Sequence, residues 1–307
     1  MGLKTPLQCR ITTEKNFLRM GNKRGDETVA RLVIDSQEVS RYSLDDVLDT
    51  IIWGDALQVL PKLPDEMADM VFIDPPYFLQ LPPKRLLRWK VKTVVEGVDE
   101  EWDKFENFEE YDRFISAILK EVRRVMKPKA TVWCIGTYHN IHRIGKLMQD
   151  LGFWILNDVI WVKTNPMPNW LNVRFTNATE TLIWAVKSKD VKGYTFNAEI
   201  ARKFSKGKLA LNVWELPICI GDERLKDEHG KKLHPTQKPK ALMERVILTS
   251  TKEGDVVLDP MAGTGTTGVV AQSLRRHFVM IEKQREYVDA CLQRLNLETQ
   301  QFSLEWR

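Results

Sequence analysis

Apolar positions along the chain recur with two periods, and the pattern predicts strands and helices in alternation. Short, nearly continuous apolar runs are typical of strands buried in a parallel sheet. They fall at residues 51–55, 70–73, 131–135, 153–162, 181–186, 255–258 and 278–281. Apolar residues spaced three and four apart, or helix start and stop signals, predict helices between them. These lie at 108–126, 138–150, 240–251 and just before Leu274, with a short one after Ser43. The alternation predicts an α/β fold with a doubly wound, mostly parallel sheet.

The stretches outside these elements predict the domain organisation. Residues 1–45 are polar and weakly patterned, and we interpret them as an N-terminal extension that orders in part on binding. Residues 46–307 are predicted to form the main domain. Within it, residues 165–233 are the predicted inserted recognition region. Its part over 187–232 has poor periodicity and dense charge, and long irregular insertions in compact domains tend to be functional.

Composition limits the class of protein. The chain has 307 residues, of which 43% are hydrophobic, so it can bury a large core. No apolar run reaches membrane-spanning length, and the first residues lack the apolar core of a signal peptide. The cysteines include no C-x-x-C pair, and His234 has no second ligand at a metal spacing. We therefore predict no metal site, no disulfide and a cytoplasmic location.

The apolar run at 70–73 ends in Asp74-Pro75-Pro76-Tyr77, the candidate catalytic turn. Prolines cannot continue a strand ladder and they fix φ, so they form a stiff turn at the carboxyl end of the strand. Open α/β sheets bind ligands at such ends. Asp74 and the Pro75 carbonyl offer two acceptors and Tyr77 offers an aromatic face, which together suit a planar base with an exocyclic amine. The alternative is a strand-ending turn with an incidental tyrosine.

A glycine-rich turn, D-P-M-A-G-T-G-T-T-G over residues 259–268, lies inside a predicted βαβ unit that Glu282 closes. The spacing G-x-G-x-x-G fits a nicotinamide enzyme and a nucleoside-binding methyltransferase equally well. Three features favour the methyltransferase. The unit comes last in the chain, D-P-P-Y has no part in hydride transfer, and Asp259 suits the cationic methionine part of S-adenosylmethionine better than a pyrophosphate. The predicted cofactor-binding residues here are Asp259, Pro260, Gly263, Gly265, Thr266 and, for the ribose hydroxyls, Glu282.

The net charge is only +4, so the position of the charges is more informative than their sum. A basic cluster with Trp89 inside it follows the catalytic turn, and consists of Lys84, Arg85, Arg88, Lys90 and Lys92. Basic side chains interleaved with an aromatic suit a nucleic-acid backbone and an unstacked base; a solvated surface loop is the alternative. A later proline-interrupted loop carries side chains that contact base edges, namely Asn165, Asn169 and Arg174. DNA is therefore the predicted partner.

Three motifs in order carry a resemblance to a known family: D-P-P-Y at 74–77, H-P-T-Q-K-P at 234–239 and D-P-x-x-G-x-G-T-T-G at 259–268. The chain resembles the β-class DNA amino-methyltransferases over residues 47–296, and most of all the cell-cycle-regulated adenine methyltransferases that modify GANTC. Further blocks similar to that group lie at 74–81, 138–141, 151–158, 165–169 and 180–184.

This resemblance implies a Rossmann-like class I methyltransferase fold with S-adenosylmethionine as cofactor and double-stranded DNA as partner. It implies methyl transfer to N6 of a flipped-out adenine. Asp74 and Pro75 would accept hydrogen bonds from the amine, and Tyr77 would stack on the base. The resemblance alone also suggests a homodimer, associated with the nucleoid of a prokaryote.

On the cofactor side, the resemblance implies that Gly263 and Gly265 pass under the methionine part, and that Asp55 and Lys238 contact its ends. For Asp55, a helix N-cap is an equal alternative. Phe78 departs from the group, which usually has Asn there, and we expect altered packing with the chemistry kept. Methylation of cytosine N4, a catalytically silent DNA-binding relative and a nicotinamide dehydrogenase remain as alternatives.

Overall fold

The computed structural model describes residues 33–38, 40–79, 86–87, 94–95, 101–169, 173–205 and 207–305. Most of the predicted extension lies outside the described residues, and so does the whole basic cluster of Lys84, Arg85, Arg88, Lys90 and Lys92. Residues from Val33 onward form one compact unit. Among the residues described, no helix has the length and apolar character needed to cross a membrane.

The strands of the described part pair into a large sheet and a small hairpin. Their bounds are β1 (Val33–Asp35), β2 (Thr50–Trp53), β3 (Ala68–Ile73), β4 (Leu86–Leu87), β5 (Val94–Val95), β6 (Met126–Gly136), β7 (Trp154–Lys163), β8 (Thr179–Val186), β9 (Val213–Leu216), β10 (Val256–Asp259) and β11 (His277–Glu282). The large sheet has nine strands in the order β1-β2-β11-β10-β3-β6-β8-β7-β9, and β4 pairs with β5. Neighbours from β1 to β6 run parallel, whereas β8 runs antiparallel to both β6 and β7. The predicted mostly parallel sheet is confirmed.

Helices cover both faces of this sheet. Their bounds are α1 (Leu44–Val47), α2 (Ala56–Val59), α3 (Phe108–Val125), α4 (Ile141–Asp150), α5 (Ala198–Phe204), α6 (Lys240–Ser250), α7 (Thr266–Ser273) and α8 (Arg285–Glu305). Strand β3 is buried on both sides because successive side chains point to opposite faces. Val71 and Ile73 join the apolar layer under α3 and α4, while Met70 and Phe72 join the layer under α6 and α7. The doubly wound architecture predicted from the sequence is therefore confirmed.

Several element bounds differ from the prediction for local reasons. Helix α4 begins at Ile141 because the residues before it form a turn, in which the Asn140 side chain accepts a hydrogen bond from Thr137 N. Strand β6 begins at Met126 and includes Pro128, which we had placed outside any strand. An irregularity in its pairing with β3 accommodates the proline there.

The limits of the predicted regions differ as well. β1 pairs with β2, so residues 33–35 belong to the sheet although we had placed them in the extension of residues 1–45. The predicted insertion at 165–233 contains β8, α5 and β9, and β9 pairs with β7 at the sheet edge. β9 is too short for its alternation of exposed and buried residues to stand out in the sequence. Helix α8 was not predicted.

One edge of the sheet collects the chain segments that matter for function. Parallel strands end at the same edge, so the residues after β2, β3, β10 and β11 lie side by side there. The antiparallel direction of β8 brings its first residues to this edge too, since Thr181 pairs with Gly136 at the end of β6. The candidate site is built at this edge.

Candidate active site

A cavity of about 360 Å³ lies at the carboxyl edge of the sheet. It is lined by the turns that follow β2, β3, β10 and β11, and these turns contribute Asp55, Asp74, Asp259 and Glu282. The structure thus brings the candidate catalytic turn and the glycine-rich turn into one cavity. Its volume is in the range of pockets that bind small molecules.

Asp74 lies at the end of β3 within a chain of polar contacts. Its Oδ2 accepts a hydrogen bond from Lys238 Nζ at 2.7 Å, and its Oδ1 lies 3.1 Å from the hydroxyl of Tyr77. The Tyr77 hydroxyl also lies 3.1 Å from Glu180 Oε2, and Lys163 Nζ lies 2.8 Å from Glu180 Oε1. Two carboxylates, one phenol and two ammonium groups therefore form a continuous array, of which Asp74, Tyr77 and Lys238 line the cavity.

Burial shapes the proton affinity of this array. Burial raises the pKa of Asp74, although the Lys238 ammonium opposes that shift. The pKa of Tyr77 is raised well above its ordinary value, first by burial and then by the charges of Asp74 and Glu180. Tyr77 is only 6% exposed and Lys238 Nζ lies 5.2 Å from the centre of its ring. The predicted role of Tyr77 as a stacking surface for a base stays a prediction.

Asp103 positions the residues that follow the catalytic turn. Its two carboxylate oxygens accept hydrogen bonds from Phe78 N at 2.7 Å and Leu79 N at 2.9 Å. Phe78 needs this support because its φ of 50° lies in the left-handed region, where a residue with a bulky side chain is strained. Asn tolerates that region better, which accounts for the usual Asn of the resembling group.

The Phe78 ring is accommodated by a cluster of aromatic residues. It stacks on Tyr111 with ring centres 5.8 Å apart, and it packs edge-on against Phe105 and Phe108. The Tyr111 hydroxyl in turn donates to the Pro76 carbonyl at 2.9 Å. The departure at residue 78 thus adds packing beneath the catalytic turn.

The glycine-rich turn is held mainly by hydrogen bonds between its own residues. Asp259 is 2% exposed; its carboxylate accepts hydrogen bonds from Met261 N and the Thr267 hydroxyl, and burial raises its pKa to about 7. Gly265 has φ 74°, and a Cβ there would lie 2.6 Å from Cys291 Sγ in α8. Packing against α8 therefore explains this glycine. Gly265 does not line the cavity, so no contact with the cofactor is needed to account for it.

Gly263, Pro260, Thr266 and Glu282 all line the cavity, as the predicted cofactor contacts require. Glu282 Oε2 accepts a hydrogen bond from Gly263 N at 2.8 Å and Oε1 accepts one from Gln284 N at 2.6 Å. Burial raises the pKa of Glu282 to about 7. Since each oxygen has a further lone pair, the carboxylate can accept hydrogen bonds from ligand hydroxyls as well.

Asp55 and Lys238 line the cavity but make contacts other than the predicted ones. Asp55 caps α2 by accepting from Leu57 N at 3.0 Å, and its Oδ2 lies 2.9 Å from Lys283 Nζ. The N-cap alternative is thus what the structure shows. Lys238 contacts the Asp74 carboxylate, and His234, Thr236 and Gln237 of the same H-P-T-Q-K-P segment also line the cavity. The contacts of both residues with a cofactor stay predictions.

His234 and Trp102 form an aromatic pair in the wall of the cavity. Their ring centres are 5.8 Å apart with an angle of 14° between the planes. Burial lowers the pKa of His234 to about 3, so its ring is neutral. Within the described ranges, no group of three or more His, Cys, Asp or Glu side chains is placed to hold a metal ion.

The predicted DNA-contacting residues that are described lie in the loop between β7 and β8. Asn165 accepts a hydrogen bond from Ile218 N at 2.8 Å, and therefore holds this loop against the segment after β9. Asn169 donates to the Arg174 carbonyl at 2.7 Å. The Arg174 guanidinium is exposed, bonds to the Tyr138 hydroxyl and lies over the Tyr138 ring. DNA contact by these three side chains stays a prediction.

Three residues of the site were given no role from the sequence: Glu180, Lys163 and Asp103. Glu180 and Lys163 come from an antiparallel pair of strands, and no local pattern indicates which strand end lies next to Asp74. Asp103 follows a stretch of acidic residues. Apart from its position next to Trp102, nothing in the local sequence indicates a role for it. Only the paired strands and the turn of residues 101–103 place these side chains at the site.

Comparison with known proteins shows the class to which this site belongs. Residues 68–293 match the model of the DNA methylase family N6_N4_Mtase, and the chain belongs to that family. It is 49% identical over 255 residues to the Type II methyltransferase M.HinfI of Haemophilus influenzae. The aligned residues make up 83% of this chain and 70% of that relative.

Solved structures also resemble the chain, among them the following two. The complex of M1.HpyAVI with SAM is 28% identical, has a TM-score of 0.57 and covers 80% of this chain and 98% of that one. The PvuII cytosine-N4-specific DNA methyltransferase is 22% identical with a TM-score of 0.60, and the match covers 80% of this chain and 85% of that one. It shows the same fold. The chain is therefore a DNA methyltransferase with the class I methyltransferase fold.

Proposed function

We propose that this protein transfers a methyl group from S-adenosylmethionine to N6 of adenine in double-stranded DNA, at the site GANTC. The observation that carries the proposal is the place of Asp74-Pro75-Pro76-Tyr77 at the end of β3, in the same cavity as Glu282. S-adenosylmethionine is the cofactor, and it supplies the methyl group on a sulfonium centre. The adenine target and GANTC rest on the form of the D-P-P-Y motif and on the resemblance of the sequence blocks.

The cavity suits a molecule made of a nucleoside and an amino acid. Glu282 lies at the end of β11 with acceptor capacity left for ribose hydroxyls. Gly263 forms part of the cavity wall, and a Cβ there would lie 3.2 Å from His234 Nε2. Glu282, Gly263 and Pro260 would therefore hold the nucleoside and the adjoining part of the cofactor. Asp55, at the end of β2, would lie at one end of it.

The target base must leave the duplex to reach Asp74, which takes a rotation of about 180°. An exocyclic amine is a weak nucleophile because its lone pair is delocalised into the ring. Asp74 and the Pro75 carbonyl would accept hydrogen bonds from the amine, align its lone pair and stabilise the positive charge that develops. Asp74 retains the capacity for this, since an ionised carboxylate has about four acceptor sites and the described contacts use two.

The loop between β7 and β8 is proposed as a DNA-contacting surface. Arg174 is exposed there and held over Tyr138, while Phe175 is 98% and Val173 77% exposed. Arg174 can contact phosphates or base edges, and exposed apolar side chains can pack against bases. The site edge of the sheet would thus face the duplex. The basic cluster at 84–92 and a homodimer remain proposals from the sequence.

The proposal is tested by incubating the protein with labelled S-adenosylmethionine and unmodified duplex DNA, and then digesting the DNA to nucleosides. We expect label in N6-methyladenine, for a duplex with one GANTC and not for a duplex with the same bases permuted. Label in N4-methylcytosine would overturn the adenine assignment. Equal label in both duplexes would overturn GANTC alone. Absence of transfer to either duplex would contradict the proposed activity.

A further inference from the structure

The hydroxyl of Tyr77 has one proton but contacts two carboxylate oxygens. It lies 3.1 Å from Asp74 Oδ1 and 3.1 Å from Glu180 Oε2, and both contacts have hydrogen-bond geometry. A phenol has one proton and can donate to one acceptor only. If both carboxylates are ionised, one of these two contacts therefore has no proton in it.

The outer oxygens of the two carboxylates cannot supply the missing proton. Lys238 Nζ donates to the other oxygen of Asp74 at 2.7 Å, and Lys163 Nζ lies 2.8 Å from the other oxygen of Glu180. Lys238 is 6% and Lys163 12% exposed, so both ion pairs are largely shielded from water. The order of groups along the array is therefore ammonium, carboxylate, phenol, carboxylate, ammonium.

One additional proton would satisfy every contact in this array. With Asp74 protonated, Asp74 donates to Tyr77 and Tyr77 donates to Glu180. With Glu180 protonated, the same two bonds point in the opposite direction. Both arrangements place a proton in each of the two Tyr77 contacts, as buried polar networks require. With both carboxylates ionised, the array is therefore one proton short.

Methylation of an exocyclic amine releases one proton, and the released proton has to leave a buried site. We propose that the Asp74–Tyr77–Glu180 array is a relay that accepts this proton from the amine and passes it to Glu180. The inference rests on the proposed function in one respect only, namely that the acceptor of the methyl group is an amine held at Asp74. It does not depend on whether that amine belongs to adenine or cytosine.

A bond forms between the amine nitrogen and the methyl carbon as the carbon–sulfur bond of the sulfonium breaks, and the sulfur keeps that electron pair. The N–H bond directed at Asp74 then breaks, its electron pair stays on nitrogen, and the proton goes to Asp74. Asp74 gives a proton to the Tyr77 oxygen while Tyr77 gives its own to Glu180. Glu180 ends protonated, and its later deprotonation resets the array.

The antiparallel pair β7 and β8 is what adds this second carboxylate. Trp161 and Glu180 face each other in the ladder, so Lys163, two residues further along β7, projects near Glu180 at the same sheet edge. Among the described residues, the polar contacts of the Glu180 side chain are with Tyr77 and Lys163, and neither lies on the cofactor side of the cavity. In this proposal Tyr77 and Asp74 touch the reacting base, and Glu180 is a positioning and proton-accepting residue behind them.

The test compares Glu180→Gln with Tyr77→Phe and with the double variant, by single-turnover methyl transfer at saturating DNA and S-adenosylmethionine. Gln keeps an acceptor for the Tyr77 hydroxyl but takes up no proton. We expect a fall of at least about tenfold in each single variant, with dissociation constants for duplex DNA and S-adenosylhomocysteine within about twofold of the parent. Because the two residues act as one unit, the double variant should be no slower than the slower single variant.

The pH profile separates a relay from mere support of the ring. The Glu180 charge helps to raise the pKa of Asp74, whereas the Tyr77 hydrogen bond lowers it. The acid limb of the rate should therefore move to lower pH in Glu180→Gln and to higher pH in Tyr77→Phe. Asp69→Asn is the matched control, since Asp69 pairs with Lys127 at 2.6 Å near the other end of β3 and should leave the rate unchanged.

A Glu180→Gln rate within about twofold of the parent would overturn the relay, and so would losses that multiply in the double variant. Where Glu180→Gln fails to fold because Lys163 is left unpaired, the variant Lys163→Met with Glu180→Gln removes both charges and carries the same expectation. The labelled product of the unaltered protein reports the proposed function separately. Label on cytosine N4 would correct the target and leave the relay standing.

Discussion

Replacing Asp103 by Ala should disable the catalytic turn while leaving the cofactor side of the cavity intact. Asp103 is 7% exposed, and its carboxylate accepts hydrogen bonds from two successive backbone amides, Phe78 N at 2.7 Å and Leu79 N at 2.9 Å. Hydrogen bonds to a charged group contribute about 1.5–3 kcal/mol each. The two together are therefore worth about 3–6 kcal/mol, less the cost of burying the carboxylate.

The conformation of the turn depends on the balance between these hydrogen bonds and the backbone strain at Phe78. A left-handed backbone at a residue other than glycine costs roughly 1–2 kcal/mol, and Phe78 has φ 50°. The hydrogen bonds outweigh this strain in the native protein. In Asp103→Ala only the packing of the Phe78 ring opposes the strain, and one buried and one part-buried amide lose their acceptor, so we expect the segment after Tyr77 to relax. A displacement of about 1 Å at a reacting group can lower a rate about a hundredfold.

The assay is single-turnover methyl transfer together with the dissociation constant of S-adenosylmethionine. We expect Asp103→Ala to lower the rate by about a hundredfold with little change in cofactor affinity, since Glu282 ends β11 and Gly263 lies in the turn after β10. Asp103→Asn is the matched control, because it keeps an acceptor for one amide only. Its rate should lie between the rates of the parent and of Asp103→Ala. The reasoning is refuted if Asp103→Ala retains the parent rate, or if it loses cofactor binding as strongly as it loses rate.

Three further predictions concern the two turns. Asp74→Ala, which removes the acceptor for the amine, should abolish methyl transfer while cofactor binding measured by calorimetry stays largely unchanged; an equal loss of both would place Asp74 in the cofactor site. Gly265→Ala should lower the free energy of unfolding in urea by about 2–5 kcal/mol, from left-handed strain and the clash with Cys291. Adding Cys291→Ala should recover part of that loss, and no recovery would contradict the clash. Since burial raises the pKa of Glu282 to about 7, cofactor affinity should strengthen as pH rises from about 6 to 8. Glu282→Gln should flatten that dependence, and an unchanged slope in the variant would assign it elsewhere.

The sequence was sufficient for the parts of the protein that depend on local pattern. The run that becomes β3 is apolar on both faces, so its burial in a parallel sheet follows from the residues themselves. The two prolines after Asp74 end that strand wherever it lies in the fold. The glycine-rich turn and Glu282 likewise belong to one continuous βαβ unit. Both candidate turns were therefore recognisable, and residues of both line the same cavity.

The sequence was less informative where side chains far apart in the chain meet. Lys238 was assigned to the cofactor by its motif, yet it lies 2.7 Å from Asp74. Gly265 matched a fingerprint for ligand approach, but its missing side chain makes room for Cys291. Asp55 had two equal interpretations, and the backbone geometry of α2 favours the N-cap. In each case a motif gave the residue type and packing decides which protein group it contacts, while the contact with the cofactor stays a prediction.

The tertiary structure alone decided the second carboxylate of the site. Glu180 is adjacent to Tyr77 because β8 runs antiparallel to β6, which brings the first residues of β8 to the edge where β3 ends. A parallel β8 would put Glu180 at the opposite edge, and nothing in the alternation of its residues distinguishes the two directions. Local sequence determines which residues form strands and turns. The direction and order of strands depend on contacts across the whole sheet, and these contacts determine which charged side chains lie next to one another.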